Sequence, residues 1–252
     1  MSDSTETVDD ALPTTSVGVL GTVRAFAVMS GGPAVGALAT IASAWSMARA
    51  LRHRRRPSAT ATLTIAAAIA YVTVLRPWSR RWGATTDETT MPLPGDELVE
   101  SPGIMMTRAV TVDAPVEEVW SWLAQIGQDR AGFYSYEWLE NLAGCRMHNA
   151  DRIHPEWQQR GIGDTVLLHP ATGLKVARFE PPHSYAFEGG WYLALEPLND
   201  TSTHLLARSR VPLGLPSLGY AIFIEAPHFI MERKMLRGIK ARAEAAHRWE
   251  TS

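Results

Sequence analysis

Two long stretches without a charged side chain lie in the first third of this 252-residue chain, at 25–48 and 59–75. A helix of this length in a soluble protein carries charged residues on its solvent-facing side, and neither stretch has any. The first stretch is long enough to cross a bilayer, and the second is at the short limit. We therefore predict an N-terminal membrane segment at 17–82, with a helical hairpin preferred over a single span.

The alternative is a pair of buried helices in a soluble protein, because small residues dilute the aliphatic ones in both stretches. Gly31-Gly32-Pro33 is expected to break or kink the first helix. The arginine-rich loop at 52–56 favours the cytoplasmic side, whereas Arg76, Arg80 and Arg81 favour the opposite orientation. The predicted location is the bacterial inner or cell membrane, and the side that the rest of the chain faces stays open.

Composition also separates a tail, an interfacial stretch, a linker and a folded domain. Residues 1–16 are acidic and rich in Ser and Thr, which predicts a disordered tail. Residues 76–82 combine indoles with guanidinium groups, which is typical of the membrane–water interface. Residues 83–103 contain several Gly and Pro residues and are predicted to be a linker, which leaves a folded domain at 104–252.

Charge and cysteine content exclude some classes of function. The formal net charge is −2, and no extended basic field follows the N-terminal arginines, so nucleic acid is not an expected partner. The single cysteine, Cys145, excludes an intramolecular disulfide framework and a cysteine-based metal cage. We expect no cofactor.

The predicted domain has an α+β pattern. Residues 105–112 alternate as a strand, and Asp113-Ala114-Pro115 then starts a helix whose apolar face ends at Gly127. A second helical stretch covers about 135–142. A long helix with one apolar stripe begins near Pro227. Between these helices, short strands that are expected to pair antiparallel lie at 165–169, 174–180, 184–188, 191–197 and 204–211.

Four motifs in this region resemble one superfamily. They are RAVTVDAPVEEVWSWL at 108–123, RAGFYSYEWLEN at 130–141, ADRIHPEW at 150–157 and EAPHFIMERKML at 225–236. The chain is similar over roughly 82–247 to the START-like or SRPBCC superfamily, which includes the Bet v 1 allergens and the polyketide cyclase/dehydrase-like proteins. The closer resemblance is to an uncharacterised bacterial membrane-anchored branch.

This resemblance implies a helix-grip fold, in which a curved antiparallel sheet wraps on a long C-terminal helix. It also implies a deep cavity for lipids, sterols, polyketides or other apolar molecules. Some members of the superfamily are enzymes and many only bind or carry a ligand, so the fold alone leaves the activity open.

Aromatic and polar residues are the candidates for the cavity wall. Aromatic side chains suit an apolar ligand, and their polar tips fix its orientation. The candidates of this kind, with one flexible methionine, are Trp120, Tyr134, Trp138, Trp157, Trp191 and Met231.

The block at 148–157 contains His148, Asp151 and Arg152. His148 and Asp151 are three positions apart, which is one face of a helix. Two interpretations compete with a plain polar loop: a metal site, which is the least favoured, and a histidine beside a carboxylate for acid–base work.

A second polar cluster lies at the start of the long helix. Glu225, His228 and Glu232 fall on one edge of it, where they would contact a ligand or transfer a proton if the edge faces the cavity. Arg208 and Arg210 share one face of a strand and are candidates to neutralise these carboxylates.

These residues predict a membrane-anchored protein that binds or transfers a hydrophobic small molecule or lipid. The alternative is a cyclase- or dehydrase-type enzyme that uses the His, Glu and Asp groups of the same cavity. A third interpretation is a ligand-gated interaction module. The sequence assigns no catalytic residue, and the oligomeric state stays open.

Overall fold

The computed structural model describes the backbone of residues 17–250 and the side chains of residues 35–249, so the predicted tail at 1–16 lies outside the described residues. Two helices, α1 (Val17–Arg52) and α2 (Ala59–Ala70), pack against each other. The expected break at Gly31-Gly32-Pro33 is absent, because α1 continues through it. A proline adopts a helical φ, although in a helix interior it removes one hydrogen-bond donor and its ring crowds the carbonyl group four residues earlier.

The second helix is longer than α2 alone. The hydroxyl of Ser58 caps it by accepting from the backbone N–H of Ala61 at 3.2 Å. It then runs through a π-helical segment, Tyr71–Leu75, into α3 (Arg76–Arg80). In the described part of the chain, this continuous helix, Ala59–Arg80, is the one that is long and apolar enough to cross a membrane.

One antiparallel sheet of six strands forms the centre of the domain. The strands are β1 (Pro102–Val112), β2 (Thr165–His169), β3 (Thr172–Glu180), β4 (Ser184–Phe187), β5 (Trp191–Asn199) and β6 (Ser202–Pro212). Their order is β1-β6-β5-β4-β3-β2. The first strand, β1, pairs with the last strand, β6, and the strands from β2 to β6 each pair with the next one in the chain. The predicted α+β class with an antiparallel sheet is confirmed.

Four helices complete the domain: α5 (Val116–Ala124), α6 (Glu137–Leu142), α7 (Leu215–Phe223) and α8 (Glu225–Glu250). The core lies where α5 and α8 cover the sheet, with Leu123 on α5 and Leu236 and Ile239 on α8 fully buried. The long terminal helix is therefore present as predicted. The short helix α7 was not predicted, because its apolar sequence has no polar face to set a helical period.

The predicted linker packs on the other face of the sheet. It contains α4 (Thr86–Thr90), where Thr85 and Glu88 form a reciprocal capping box, and a 3-10 turn at Asp96–Leu98. Leu93 is buried against Tyr192 and its neighbours. Both faces of the sheet are thus covered, and the domain boundary stays a prediction.

At Gly238, α8 lies against the backbone of Tyr134. A Cβ atom there would be 2.3 Å from the carbonyl oxygen of Tyr134, a residue with φ of 55°. We expect Gly238→Ala to lower the free energy of unfolding by about 1–3 kcal/mol through overpacking, although alanine favours a helix by about 1 kcal/mol over glycine. Urea unfolding measures the change.

Gly219→Ala in α7 is the matched control, because nothing lies within 4 Å of its added Cβ. We expect it to leave the stability unchanged or raise it slightly. Equal effects of the two substitutions would contradict the close-approach explanation.

Candidate functional site

A pocket of about 470 Å³ lies between the sheet and the helices α6, α7 and α8. This volume is within the range of small-molecule sites in proteins, about 300–1,000 Å³. Most of its wall is apolar, and the side chains that set this character are Phe133, Leu139, Leu168, Leu174, Phe223 and Met235. An apolar ligand therefore finds both space and a compatible surface.

One wall of the pocket carries a chain of polar groups centred on Glu232, whose side chain is buried. Its carboxylate accepts from Nη1 of Arg108 at 2.5 Å and from the indole N–H of Trp191 at 2.8 Å. Nε2 of His228 lies 3.3 Å from the same carboxylate, and Nδ1 of that ring is hydrogen-bonded to the hydroxyl of Tyr220. Tyr220, His228, Glu232 and Arg108 thus form one continuous polar chain.

The electrostatics of this chain define its protonation. Burial by itself raises the pKa of Glu232, but the charges of His228 and Arg108 and the hydrogen bonds from them outweigh burial and lower the pKa to about 2. Burial, followed by the charge of Glu232, raises the pKa of Tyr220 far above its usual range. The Tyr220 hydroxyl therefore keeps its proton. In the neutral tautomer of His228 that carries its proton on Nε2, this hydroxyl donates to Nδ1 and the Nε2–H faces Glu232.

Four of the sequence-predicted site residues line the pocket together: Trp191, His228, Met231 and Glu232. Arg210 also reaches its lining. Trp120 lies in the core outside the pocket lining, with its ring 5.1 Å from that of Phe179. Tyr134 is buried outside the pocket lining, where its hydroxyl donates to the carbonyl oxygen of Trp122 at 3.1 Å.

The block at 148–157 does not join this site. The His148 side chain is 90% exposed, and Asp151 and Arg152 are exposed as well. Residues 145–150 have no regular structure, so the three-residue spacing of His148 and Asp151 does not place them on a helix face. The structure corrects the expectation that this block forms a polar end of the cavity.

Two tryptophans among the predicted site residues also lie away from the pocket. Trp138 on α6 is 66% exposed. Trp157 stacks on His154, with ring centroids 3.9 Å apart. Neither side chain belongs to the pocket lining.

Arg208 does not neutralise Glu225 or Glu232. Because side chains alternate along a strand, Arg208 projects from the outer face of the sheet, where its Nη1 binds Asp96 at 2.8 Å. Arg210 binds the same carboxylate at 3.1 Å. Both arginines therefore hold the predicted linker on the sheet, which corrects their expected role.

Arg108, and not Arg208, neutralises Glu232, and it was not among the predicted site residues. Its side chain is fully buried and reaches Glu232 across the core. The alternation of β1 was the available signal. Arg108 lies on the same face of that strand as Val110 and Val112, so it points toward the core.

Glu225 connects the domain to the N-terminal helix instead of lining the pocket. Its buried carboxylate binds Arg76 at 2.9 Å and Arg80 at 2.7 Å, both on α3. Nε of Arg108 also donates to the carbonyl oxygen of Ser79 at 2.7 Å. The end of the helix Ala59–Arg80 is thus attached to the start of α8 and to β1.

Fold and site together define an α+β protein of the helix-grip type, with an apolar pocket between sheet and helices and one polar wall. No family model matches the chain, and no curated protein matches it. Among the described residues, no group of three or more His, Cys, Asp or Glu side chains is arranged to hold a metal ion.

Three solved structures show a weak likeness to this chain. A protein from Arthrobacter aurescens is 15% identical, with 63% of this chain and 92% of that chain covered and a TM-score of 0.34. A Polyketide_cyc-like protein from Corynebacterium glutamicum is 16% identical over 54% and 88% of the two chains, with a TM-score of 0.29. CalU16 from Micromonospora echinospora is 21% identical over 56% and 84%, with a TM-score of 0.23. The fold of this chain rests on its own strand order and terminal helix.

Proposed function

We propose that this chain is a membrane-anchored protein that binds or transfers a hydrophobic small molecule or lipid in the pocket beneath α8. The observation that carries the proposal is the cavity of about 470 Å³ with a mainly apolar wall. A fully packed core would contain no cavity of this volume, since protein interiors are normally packed as densely as organic crystals.

Two features support a membrane anchor. Large aliphatic side chains of the helix Ala59–Arg80 are exposed, among them Leu63 at 69%. The helix α7, which forms part of the pocket wall, exposes Leu215 at 83% and Leu218 at 57%. Exposed apolar groups on both helices suit contact with lipid, and under this proposal the pocket wall on α7 lies close to the membrane. A bilayer would concentrate apolar ligands near a tethered pocket.

Filling the pocket tests the binding function. Leu174 and Met231 line it from β3 and α8. We expect Leu174→Trp and Met231→Trp each to weaken ligand retention at least about tenfold, because an added indole occupies the ligand's space and a loss of 1.4 kcal/mol is a factor of ten. Native mass spectrometry of the full chain incubated with a bacterial lipid extract measures the retained ligand.

Leu142→Trp is the control, since this side chain lies on α6, is 46% exposed and is outside the pocket lining. It should retain ligand as the wild type does. An unliganded mass for the wild type under all conditions would count against the binding function.

A dehydrating or cyclising enzyme is the second candidate, and the Tyr220–His228–Glu232 chain favours it. A histidine held between a protonated tyrosine and a carboxylate is a suitable proton-transfer group. Ligand recovered from the wild type is then expected to differ in mass or chromatographic retention from the ligand supplied, and His228→Gln is expected to return it unchanged. If the wild type also returns the ligand unchanged, the site binds without catalysis.

A further inference from the structure

The end of the pocket between α6 and β2 contains a histidine whose hydrogen bonding is incomplete. His169 is 7% exposed and lines the pocket. Its Nδ1 accepts from the backbone N–H of Ala171 at 3.1 Å. A neutral imidazole whose Nδ1 is an acceptor carries its proton on Nε2. Within the described residues, this Nε2–H donor has no hydrogen-bond partner.

Glu140 of α6 lines the same pocket and is also incompletely bonded. Its Oε2 is buried and has no partner among the described residues. Burial, and next the nearby Glu137, raise the pKa of Glu140 to about 7. In a substantial fraction of the molecules, this carboxyl group is therefore protonated near neutral pH and has an O–H to donate.

Cys145 connects these two groups in space. Its thiol donates to the carbonyl oxygen of Leu168, the residue before His169, at 3.5 Å. The backbone N–H of Cys145 donates to the carbonyl oxygen of Glu140 at 3.0 Å, so the end of α6 lies beside this thiol. His169 and Glu140 thus belong to one end of the pocket, while Tyr220 and Glu232 occupy its polar wall on α7 and α8.

Unsatisfied polar groups of this kind need a partner. A buried donor without an acceptor costs about 1–3 kcal/mol, and native proteins contain few of them. His169 Nε2–H is a donor here, the protonated form of Glu140 is a second one, and the side chains around them, such as Leu168 and Leu174, are apolar. The group that would satisfy both is an oxygen acceptor on an otherwise apolar molecule.

We propose that the ligand is an apolar chain bearing a ketone or ester carbonyl, and that its oxygen accepts hydrogen bonds from Nε2–H of His169 and from Glu140. The apolar part of the ligand then extends along the pocket toward α8. This inference rests on the proposed binding function and narrows its ligand class.

Matched ligands test the carbonyl directly. The full chain is reconstituted in phosphatidylcholine nanodiscs and incubated with isotope-labelled 2-tridecanone or tridecane, and empty nanodiscs give the amount that partitions into lipid. Ligand retained with the protein is extracted and quantified by mass spectrometry. We expect the wild type to retain the ketone about tenfold more than the hydrocarbon, in line with one satisfied buried donor.

Three variants assign the effect to His169. His169→Phe keeps an aromatic ring without a donor and is expected to reduce the preference for the ketone to about one, with retention of tridecane unchanged. His169→Gln restores an N–H donor and is expected to recover part of the preference. His183→Phe changes an exposed histidine outside the pocket lining and should behave as the wild type.

The outcomes separate this inference from the binding function. Equal retention of ketone and hydrocarbon by the wild type overturns the carbonyl assignment and leaves the binding function intact. A ketone preference that persists in His169→Phe overturns the role of His169. Retention of neither ligand overturns the proposed binding function and this inference with it.

Discussion

Arg108→Met is expected to lower the free energy of unfolding by about 3 kcal/mol, because it removes the buried guanidinium partner of Glu232 and leaves only His228 and Trp191 beside that carboxylate. The two side chains are almost completely buried, and their atoms are 2.5 Å apart. The substituted methionine occupies a similar volume, so the loss reports the polar contacts of Arg108 with Glu232 and Ser79 and not a cavity. Denaturant unfolding followed by tryptophan fluorescence measures it.

A double-mutant cycle distinguishes the pair from either residue alone. Arg108→Met with Glu232→Leu removes both charges, and we expect it to be much more stable than Arg108→Met, since well-packed apolar residues often replace a buried ion pair without loss. Arg178→Met is the control, because that arginine pairs with exposed carboxylates and its loss should cost no more than about 1 kcal/mol. Equal decreases in the free energy of unfolding for Arg108→Met and Arg178→Met would show that burial of the Arg108–Glu232 pair adds nothing to the cost.

The same carboxylate gives the stability a defined pH dependence. The pKa of Glu232 is about 2 in the folded protein against 4.5 for an ordinary glutamate. Because the folded-state pKa is the lower one, the stabilisation is present above about 4.5 and is lost as the pH falls toward 2. The free energy of unfolding of Glu232→Gln, measured by denaturant unfolding at a series of pH values, should change less between pH 4.5 and 2 than that of the wild type.

Glu225→Gln is expected to release the N-terminal helix from the domain. Glu225 is buried and accepts from both Arg76 and Arg80, so the neutral amide loses two charge-assisted pairs. The arginines are each 27% exposed and regain water, which limits the loss to about 2–3 kcal/mol, below the value for a fully buried pair. Amide hydrogen exchange at 76–84 should accelerate about 30- to 150-fold, since 1.4 kcal/mol is a factor of ten.

Glu244→Gln provides the control on the same helix. Glu244 pairs with Lys240, and neither residue contacts α3. The charge change is identical, so exchange at 76–84 should stay at the wild-type rate. Unchanged exchange in Glu225→Gln would mean that the helix is held by its other contacts, such as Arg108 with the Ser79 carbonyl and Trp78 with Phe229.

The strands and the terminal helix were predictable because their signals are local. The strand expected at 165–169 has those bounds in the structure, and those expected at 184–188 and 191–197 differ by one or two residues at one end. The long helix begins at Glu225, two residues before the expected start near Pro227. Alternation with period two and an apolar stripe with period 3.6 each require only neighbouring residues.

The membership of the site was predictable only in part. Helical spacing grouped Glu225, His228 and Glu232 on one edge of α8. Of these, His228 and Glu232 lie in the pocket lining, whereas Glu225 binds Arg76 and Arg80. His169 and Glu140 were missed because nothing in their local pattern distinguishes a wall of the pocket from the surface. His148 and Asp151 were grouped by a helical spacing that their segment does not adopt.

The sequence by itself thus determined the class of fold and the polar edge of the terminal helix, because these follow from side-chain periodicity along short segments. Only the tertiary structure decided which charges meet. Arg76 binds Glu225 across 149 positions, and Arg108 binds Glu232 across 124. Such pairs depend on how the sheet, the N-terminal helix and α8 pack in three dimensions, and no local pattern encodes that packing.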